Sequence, residues 1–493
     1  MRAATPATGQ AARAAVGAPV RAAGASSRTA RLGGALASLV LLAALAVLAC
    51  DAAAAPTQYV PARAGGWPGW LAGPLAGIGT RLGGGGFQAL MLIVCVAYLA
   101  ALAASRALGL RWVGATILAA HAILVLGPPL ISQDVFGYVA FARMGALHGL
   151  DPYTRFPAEA VGDPVFDFIG WPFQHSPYGP LFTLASYAVA PLGLAGALWT
   201  MKVVLALASL AAVWLTARAA GRLGRSPAFA AAFLGLNPVL LVLAVGGAHN
   251  DTLLLAALAL ALLLGAGTAA QPRAAALALA AGVGVKLTAG LVLPFAVLGE
   301  QGRPRRLRIA AAAAAGLTGV AAVGVIGFGP HALGFLTAIG EQQQLVATHS
   351  VPAETARLVG LAGTPAWWRH VWAAAFLAAL AYLLWRTARG ADWRAAAGWA
   401  TLALLVSTAW LLPWYAVWPL PLAAVCGDRR LRGAALVLCA YAVLIHLPLA
   451  DPLLSPGGAG GVVPTGAGRS LPPHGVEFAG LEVLRDVRLD LGF

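Results

Sequence analysis

The sequence predicts an all-α, polytopic membrane protein with about 11 to 13 transmembrane helices, extracytoplasmic loops and an interfacial or re-entrant helix. Of its 493 residues, 60% are hydrophobic and 10% are charged, whereas an ordinary globular domain carries about 25% charged residues. Apolar runs of about 20 residues recur from Gly33 to Leu449, and a helix of that length crosses about 30 Å of hydrocarbon. A soluble fold cannot bury that much apolar surface, so the bilayer is predicted to be the solvent.

The basic charge is predicted to set topology rather than to bind nucleic acid. The net charge is +15, but the arginines form short clusters between apolar runs instead of one basic face or arm. The chain has two lysines, Lys202 and Lys286, and both fall inside apolar segments. Its four cysteines lie in or beside hydrophobic runs without paired spacing, which indicates neither disulfides nor a zinc site. We therefore predict no metal, no cofactor and no nucleic-acid partner.

Arginine clusters divide the chain into membrane spans, because positive residues are retained on the cytoplasmic side. The clusters assigned to cytoplasmic loops are Arg106/Arg111, Arg218/Arg222/Arg225, Arg303/Arg305/Arg306/Arg308, Arg386/Arg389/Arg394 and Arg429/Arg430/Arg432. The predicted spans cover roughly residues 33–50, 87–105, 112–131, 198–217, 228–246, 252–267, 310–328, 370–385, 395–411, 413–426 and 433–448. Two large outside loops remain, at about 132–180 and 330–369.

Two apolar stretches do not fit as simple crossings. Counting 181–195 as a span would put the cluster at Arg218 outside, so this short stretch, which contains Pro191, is predicted to be an interfacial or re-entrant helix. The stretch 274–298 has arginines on both flanks, and two short helices meeting near Gly284 and Lys286 would return the chain to the same side. Broken segments of this kind are tolerated where they line a protein cavity.

The predicted organisation has three parts. Residues 1–32 are basic and contain no acidic residue, and we expect a disordered cytoplasmic segment. Residues 33–450 form the transmembrane domain, and residues 451–493 form an extracytoplasmic tail. The run 33–50 also resembles the hydrophobic region of a signal peptide, but the many further spans make a first transmembrane helix the simpler interpretation.

Asp134 is the candidate catalytic residue of the first outside loop. It lies where a predicted span leaves the membrane and a helix-like stretch to Leu150 begins. A carboxylate at this boundary can deprotonate an acceptor hydroxyl while a lipid-borne donor lies in the adjacent bilayer. The alternative is a helix-capping residue, since Asp is favoured at such positions. The same loop also contains Tyr138, Arg143 and Tyr178.

A second polar group follows in the turn 246–251 and in the broken segment. His249, Asn250 and Asp251 join two spans on the same side as Asp134. They are interpreted either as a tight turn that caps the next helix or as part of the same cavity, where a helix N-terminus favours phosphate. Lys286 is costly at membrane depth unless it has an anionic partner or a water-filled cavity. The alternative is a snorkelling lysine, or one paired with a carbonyl.

Two further segments contain residues suited to carbohydrate. In the second outside loop, Gln343 and His349 are polar enough to contact a sugar or acceptor, although a solvated connection would look the same. Trp414 and Tyr415 lie in a stretch crowded with aromatics and prolines at the outer boundary. An aromatic belt explains much of this pattern, and stacking on a sugar ring would use the same side chains.

Several of these motifs occur together in a known order. They are the Asp134 loop with Asp151-Pro152-Tyr153 and Tyr178-Gly179-Pro180, the turn Gly247 to Asp251, Val285-Lys286-Leu287-Thr288, and Pro413-Trp414-Tyr415. Over about residues 85–450 the chain resembles the actinobacterial polyprenyl-phosphomannose-dependent α-1,6-mannosyltransferases of the GT-C superfamily, neighbours of glycosyltransferase family 87. The resemblance implies a GT-C-like helical bundle in the cell membrane.

The resemblance also implies an inverting transfer of a sugar, mannose by analogy, from polyprenyl phosphate to an envelope glycan or glycolipid acceptor at the extracytoplasmic face. Asp134 occupies the place of the catalytic base. The donor-side candidates are Arg143, Lys286 and His249 for the phosphate, with Asp251, Asn250, Tyr138 and Tyr178 beside them. The acceptor-side candidates are His349, Gln343, Trp414 and Tyr415. Such enzymes often show two acids in this loop, whereas Gln133 and Val135 flank Asp134 here, so no metal is predicted.

A secondary transporter or lipid-linked sugar flippase is the main alternative, with a midplane site around Lys286. Carriers of this type are generally built from internal repeats, and no convincing repeat is visible; the large polar first loop is also unexplained by transport. No Walker loop or dinucleotide fingerprint occurs, which disfavours ATP-driven transport and nucleotide-sugar donors. A non-catalytic assembly partner is a third alternative.

Overall fold

The structure is a computed structural model that describes residues 11–54, 68–78, 82–268 and 270–445. Regular secondary structure in these ranges is helical throughout, which confirms the predicted all-α class. The first eight helices are α1 (Ala11–Ala54), α2 (Gly69–Ala72), α3 (Gly84–Leu126), α4 (Asp134–His148), α5 (Pro180–Ser186), α6 (Gly193–Arg222), α7 (Pro227–Gly235) and α8 (Asp251–Leu264). The others are α9 (Pro272–Val283), α10 (Leu293–Leu298), α11 (Arg303–Phe328), α12 (Gly334–Gln342), α13 (Val351–Leu358), α14 (Ala366–Ala388), α15 (Trp393–Ser407), α16 (Leu420–Val425) and α17 (Arg429–Leu444).

Shorter helical segments connect these helices. The 3-10 segments are Gly73–Leu75, Pro157–Ala160, Phe166–Phe168, Tyr187–Leu192, Leu287–Val292, Gly329–His331 and Pro413–Val417. One π-helix, Val239–Gly246, follows α7. Helix α1 begins at Ala11 and so includes residues 11–32 of the predicted basic N-terminal segment. The rest of that segment, residues 1–10, and the predicted tail 451–493 lie outside the described residues.

The described part of the chain is polytopic by length and composition. Five helices are long and apolar enough to cross a membrane: Arg28–Ala54, Gly85–Leu126, Pro180–Arg222, Arg303–His331 and Ala366–Ala388. A sixth crossing results if the bent pair of α7 and the π-helix is counted as one span. This count is lower than the predicted 11 to 13, partly because α8, α15 and α17 have 14, 15 and 16 residues, short of the roughly 20 that an upright crossing needs.

Helix α3 is a hairpin rather than one long rod. At Gly109 the backbone has φ +79° and ψ 165°, which interrupts the helix. Near this turn, Arg31 Nε of α1 donates a hydrogen bond to the Ala107 carbonyl, at 2.8 Å. At the other end of α1, Asp51 accepts from the Leu82 amide just before α3 begins, at 2.6 Å. The first arm of α3 therefore runs antiparallel to α1.

The second arm of α3 returns beside α1 in the opposite direction. Trp112 Nε1 donates to Ser38 Oγ close to the turn, at 3.2 Å. Gly127, directly after the arm, packs against Ala49 near the end of α1. The two arms correspond to the separate spans predicted at 87–105 and 112–131. The single apolar helix of 42 residues thus accounts for two predicted crossings.

Arginine side chains gather at one end of the bundle. Arg106 and Arg432 both lie over the Phe229 ring, at 5.8 and 5.4 Å from its centroid. Four more donate to main-chain carbonyls near helix ends: Arg31 to Ala107, Arg222 to Leu263, Arg306 to Ala388 and Arg394 to Gly265. We call this the arginine end. The clusters that the sequence assigns to one side of the membrane therefore lie together.

Helix caps at the arginine end explain why several helices begin there. The Ser226 hydroxyl accepts from the Phe229 amide and starts α7, with Pro227 in the first helical position. Asp392 and Asp428 accept from first-turn amides of α15 and α17 in the same way. A carboxylate at a helix N-terminus also interacts favourably with the helix dipole. These caps fix the direction in which the three helices leave the arginine end.

The segment 274–298 is broken where the sequence predicts. Helix α9 ends at Val283, and the chain continues through Gly284 to Lys286 into the 3-10 segment Leu287–Val292 and α10. The returning 3-10 segment packs against α9, since Gly282 lies beside Ala289. The segment is a re-entrant hairpin whose tip is Lys286.

The stretch 181–195 is a short, broken helical segment, and its assignment as an interfacial or re-entrant helix remains a prediction. Helix α5 has 7 residues and continues into the 3-10 segment Tyr187–Leu192, which contains Pro191. Gly193 then has φ +70° and redirects the chain into α6. Because α6 alone has 30 residues, or about 45 Å of helix, it crosses the bundle without the preceding segment.

Two predicted spans have a different internal structure. The stretch 228–246 is bent by 54° between α7 and the π-helix, because Pro238 cannot donate a main-chain hydrogen bond and its ring disrupts the preceding helical turn. The stretch 413–426 consists of the 3-10 segment Pro413–Val417 and the six residues of α16, with further prolines at 419 and 421. Both stretches are buried at the centre of the bundle, where irregular backbone is shielded from lipid.

Candidate active site

Two strained segments meet beside the start of α4. φ is +65° at Ile131 and +55° at Ala248, the two non-glycine residues with positive φ in the described ranges. The segments are joined by a hydrogen bond of 2.9 Å from the Leu130 amide to the Gly246 carbonyl. A left-handed conformation costs a non-glycine residue about 1–2 kcal/mol, and such strain clusters at functional sites. The backbone thus singles out the region of Asp134.

Asp134 is the first residue of α4, and His249 lies behind it. His249 Nδ1 is 3.2 Å from Asp134 Oδ2. The imidazole is fully buried and stacks on Trp414, with the ring centroids 3.8 Å apart and an interplanar angle of 21°. The Asp134 side chain remains 14% exposed. His249 and Trp414 therefore back the carboxylate from the protein interior and do not line the cavity in front of it.

Lys286 is held at the tip of the re-entrant hairpin by a carboxylate and two aromatic rings. Its Nζ lies 2.8 Å from Asp251 Oδ1, and Trp418 Nε1 donates to the same oxygen. The ammonium also lies 4.4 Å from the centroid of the Tyr415 ring and 5.2 Å from that of Trp418. Asp251 is fully buried, whereas the Lys286 side chain is 13% exposed. The anionic partner that Lys286 requires at membrane depth is therefore Asp251, inside the protein.

Tyr138, Tyr178 and Asn250 form the layer beneath these charges. The Asn250 amide donates to the Tyr138 hydroxyl, at 3.3 Å, and the rings of Tyr138 and Tyr178 meet edge to face at 5.0 Å. Burial, together with nearby groups that include Asp134, raises the pKa of Tyr138 and Tyr178 well above the ordinary value for tyrosine. Both hydroxyls therefore stay neutral. Tyr178 lines the cavity, and Tyr138 lies behind it.

One cavity of about 150 Å³ brings five of the predicted site residues together. These are Asp134, Tyr178, Lys286, Gln343 and Tyr415. Apolar side chains form much of the remaining wall: Phe141, Ile169, Leu287, Ile339, Leu404, Leu405 and Leu412. A mostly apolar wall with a few polar groups is typical of ligand sites. The cavity, as we call it below, therefore joins a carboxylate, an ammonium and hydrocarbon surface.

Arg143 lies in a separate cluster of the loop that is predicted to be the first outside loop. Its Nε donates to both carboxylate oxygens of Asp163, at 2.8 and 2.9 Å, and His148 Nε2 lies 2.7 Å from one of them. Burial acts to raise the pKa of Asp163, but the hydrogen bonds from Arg143 and His148 outweigh it and hold this pKa below the usual value. The structure does not bring Arg143 to the cavity.

His349 also lies outside the lining of the cavity. Its Nδ1 is 2.6 Å from Glu354 Oε1, and its carbonyl accepts from the Tyr441 hydroxyl at 2.7 Å. Of the four acceptor-side candidates, Gln343 and Tyr415 line the cavity, whereas His349 and Trp414 do not.

Several cavity residues are not among the sequence candidates. They are Trp171, Gln174, His175, Thr288, Gln342, Trp410 and Trp418. Trp418 lies in the same aromatic stretch as Trp414, and Trp171, Gln174 and His175 lie in the same predicted outside loop as Tyr178, so these neighbours were a usable signal. The others follow from tertiary packing. Within the described residues no three His, Cys, Asp or Glu side chains converge closely enough to hold a metal ion, and the expectation of no metal remains a prediction.

Comparison with known proteins identifies the family. The family described as alpha-(1->6)-mannopyranosyltransferase, N-terminal domain, matches residues 31–300, a range that contains Asp134, His249, Asp251 and Lys286. Alpha-(1->6)-mannopyranosyltransferase A of Mycobacterium tuberculosis is 32% identical over 360 residues, which cover 66% of this chain and 67% of that protein.

Two relatives from Corynebacterium glutamicum match shorter parts. Its alpha-(1->6)-mannopyranosyltransferase A is 26% identical over 223 residues, or 41% of this chain and 44% of the relative. Its alpha-(1->6)-mannopyranosyltransferase B is 31% identical over 144 residues, or 27% of this chain and 23% of the relative. No solved structure matches the chain. Because the family match covers more than half of the sequence, this chain belongs to the alpha-(1->6)-mannopyranosyltransferase family of membrane glycosyltransferases.

Proposed function

We propose that the protein transfers a mannosyl group from polyprenyl phosphate to a hydroxyl of an envelope glycan or lipoglycan, with inversion, at the extracytoplasmic face of the membrane. The observation that carries the proposal is the cavity in which Asp134 supplies a carboxylate and Lys286 an ammonium amid largely apolar walls. The names of the relatives, which specify alpha-(1->6)-mannopyranosyl transfer, support mannose as the sugar and an α-1,6 linkage in the product.

In this mechanism Asp134 is the general base. The acceptor hydroxyl oxygen forms a bond to the anomeric carbon of the mannosyl group while the bond from that carbon to the phosphate oxygen breaks. Asp134 takes the hydroxyl proton, and the bonding electron pair leaves with polyprenyl phosphate. Phosphate is a good leaving group, so one base is sufficient and the carboxylate pair of glycoside hydrolases is unnecessary. The 14% exposure of Asp134 leaves its carboxylate accessible from the cavity.

Lys286 stabilises the leaving phosphate. An ammonium has three N–H donors, and the hydrogen bond to Asp251 uses one of them. The remaining donors are available to phosphate oxygens in the cavity. A charge-assisted hydrogen bond of this kind is stronger than a neutral one. The Asp251 carboxylate, which also accepts from the Trp418 indole, holds the ammonium in place. It balances the positive charge of Lys286 when no polyprenyl-phosphate substrate is bound.

The hydrocarbon wall of the cavity supports a lipid-linked donor. Leu287, Ile339, Leu404, Leu405 and Leu412 offer apolar surface beside Lys286, and burial of a hydrocarbon chain contributes about 25 cal/mol per Å². Helix α8 runs from Asp251, which binds Lys286, to Leu264, and the Leu263 carbonyl accepts from Arg222, so the arginine end lies opposite the cavity. This arrangement supports an extracytoplasmic active site, since positive residues favour the cytoplasm.

The other predicted residues receive supporting roles in this proposal. His249 positions the Asp134 carboxylate, and Trp414 holds the imidazole by stacking. Tyr178 presents its neutral ring and hydroxyl to the donor, while Tyr138 and Asn250 support it from behind. Arg143 and His349 stabilise the two outside loops through Asp163 and Glu354 and contact no substrate.

The test is transfer of labelled mannose from polyprenyl phosphomannose in membranes that contain the wild type, Asp134→Asn or Asp167→Asn at equal amounts. Asp167 lies in the same outside loop and is exposed, so its variant is a control for the same chemical change. We expect the wild type and Asp167→Asn to transfer and Asp134→Asn to lose at least about 100-fold in rate, the low end for removal of a general base.

Equal transfer by all three proteins would refute the role of Asp134 while leaving the donor assignment intact. Absence of transfer by the wild type, with an acceptor-containing membrane and intact protein, would refute this donor. Sidedness is tested separately with donor confined to one face of sealed vesicles, where transfer from the cytoplasmic face alone would refute the proposed topology.

A further inference from the structure

Part of the cavity is formed by neutral amide and indole side chains from three distant segments. Trp171 and Gln174 come from the first outside loop, Gln342 and Gln343 from the end of α12, and Trp410 from the segment after α15. We call these five residues the amide–indole wall. The rings of Trp171 and Trp410 meet edge to face with centroids 5.7 Å apart, which joins the first segment to the third.

Two further contacts hold the wall together. His175 Nδ1 lies 2.9 Å from Glu341 Oε1, which fixes the end of α12 against the first outside loop. The Ala347 amide donates to the Ala409 carbonyl at 2.8 Å, which fixes the chain after α12 beside Trp410. The wall is therefore assembled before any ligand binds, and a preorganised surface loses little freedom on binding.

We propose that the amide–indole wall is the binding site of the acceptor and that it selects a neutral saccharide. This inference rests on the proposed function, because it takes Asp134 as the base that the acceptor hydroxyl must reach. The donor phosphate is assigned to Lys286, and the same cavity has to hold the second substrate within reach of Asp134. The amide–indole wall offers the acceptor a surface that the polyprenyl-phosphate donor, bound at Lys286, does not occupy.

The chemistry of the wall matches a sugar and not an anion. An indole offers a flat apolar face with one N–H at its edge, which suits the apolar face of a pyranose ring and one of its hydroxyls. Each glutamine amide both donates and accepts, as a hydroxyl group requires. None of the five residues carries a charge, whereas sites for phosphate or carboxylate recruit arginine or lysine.

An unsatisfied hydrogen-bond donor marks where the saccharide would bind. Trp410 is 5% exposed, and its indole N–H has no hydrogen-bond partner among the described residues. Buried donors are nearly always paired in native proteins, and Trp410 lines the cavity, so we take a ligand oxygen as the missing partner of this N–H. A hydroxyl oxygen of the acceptor sugar would complete this hydrogen bond.

The experiment measures binding of a synthetic α-1,6-linked mannotriose to the purified full-length protein in detergent, by calorimetry and without any donor present. Trp410→Phe keeps an aromatic ring but removes the N–H, and Gln343→Leu removes one amide. Trp385→Phe, at a side chain 53% exposed on α14, is the matched control. We expect each wall variant to raise the dissociation constant about tenfold, the effect of one lost hydrogen bond, and the control to leave it unchanged.

Kinetics with polyprenyl phosphomannose supply the second measurement. The wall variants should raise the KM for the acceptor and leave the KM for the donor within about twofold, because the phosphate is assigned elsewhere. Unchanged triose binding in both wall variants, or no triose binding by the wild type, would overturn the wall assignment. Wild type that binds the triose through the wall but transfers no mannose would instead refute the proposed function, so the two failures are distinguishable.

Discussion

Replacement of Lys286 by methionine tests the phosphate assignment most directly. Methionine keeps an unbranched apolar side chain and removes the ammonium that lies 2.8 Å from Asp251 Oδ1. A hydrogen bond to a charged group contributes about 1.5–3 kcal/mol. Because about 1.4 kcal/mol corresponds to a factor of ten, we expect kcat/KM for the donor to fall about 10- to 150-fold.

The same substitution also affects stability, and the two effects have to be separated. Asp251 is fully buried, and removing one partner of a buried ion pair costs about 3–5 kcal/mol. The double variant Lys286→Met/Asp251→Asn removes both charges, and Asn still accepts a hydrogen bond from the Trp418 indole. We expect the double variant to regain most of the lost thermal stability but none of the lost donor turnover.

The assay combines thermal unfolding of purified protein with initial rates over a range of polyprenyl phosphomannose concentrations. Lys202→Met is the control, because Lys202 is the other lysine of the chain and its Nζ donates to the Leu124 carbonyl away from the cavity. Wild-type turnover by the double variant would show that Lys286 is a counter-ion for Asp251 alone, and would refute its proposed contact with phosphate.

Three further outcomes follow from the structure. His249→Phe keeps the stacking on Trp414 but removes the nitrogen beside the Asp134 carboxylate, and initial rates should show kcat lowered about 10- to 100-fold, as for a lost interaction with a charged group, at constant donor KM; a change in KM alone would contradict the positioning role. Asp163→Asn should lower the unfolding temperature at pH 7, and because the pKa of Asp163 is depressed in the folded protein, the difference from wild type should shrink as the pH falls below 3.8. Gly109→Ala should destabilise the protein by about 1–2 kcal/mol, whereas Gly114→Ala in the same helix, with open space and no positive φ, should not; equal unfolding temperatures for the two would contradict the hairpin.

Hydrophobicity and charge along the sequence predict where the chain turns back, because both report directly on depth in the bilayer. Arg106 and Arg111 flank the Gly109 turn, so the sequence separates the two arms that form the α3 hairpin in the structure. Arginines on both flanks similarly require the chain to turn back near Lys286. The bend at Pro238 is harder to predict from the sequence, because the surrounding residues are apolar on every face and show no helical periodicity in their hydrophobicity.

The sequence identifies candidate site residues whose charge is costly to bury. It does not identify the side chains with which such residues pair. Asp134 and Lys286 are conspicuous because ionisable groups are rare at membrane depth, and both line the cavity. Arg143 carries the same charge as Lys286, but its partner Asp163 lies 20 residues away in the loop, and no periodicity links them. His249 is predicted at the phosphate, and in the structure its imidazole follows the positive-φ residue Ala248 and lies behind Asp134.

The position of Lys286 indicates which kinetic constant its loss should change. Polyprenyl phosphomannose is a phosphodiester with one negative charge, whereas the departing polyprenyl phosphate gains charge towards that of a monoester, about −1.5 to −2 at pH 7. In the proposed mechanism the attraction to the ammonium therefore grows as the bond to the anomeric carbon breaks, while Asp251 competes for the same ammonium throughout. Only an interaction that is stronger in the transition state accelerates the chemical step. The Lys286→Met/Asp251→Asn variant should accordingly lose more in kcat than in donor KM, and the reverse would mean that Lys286 binds the ground state alone.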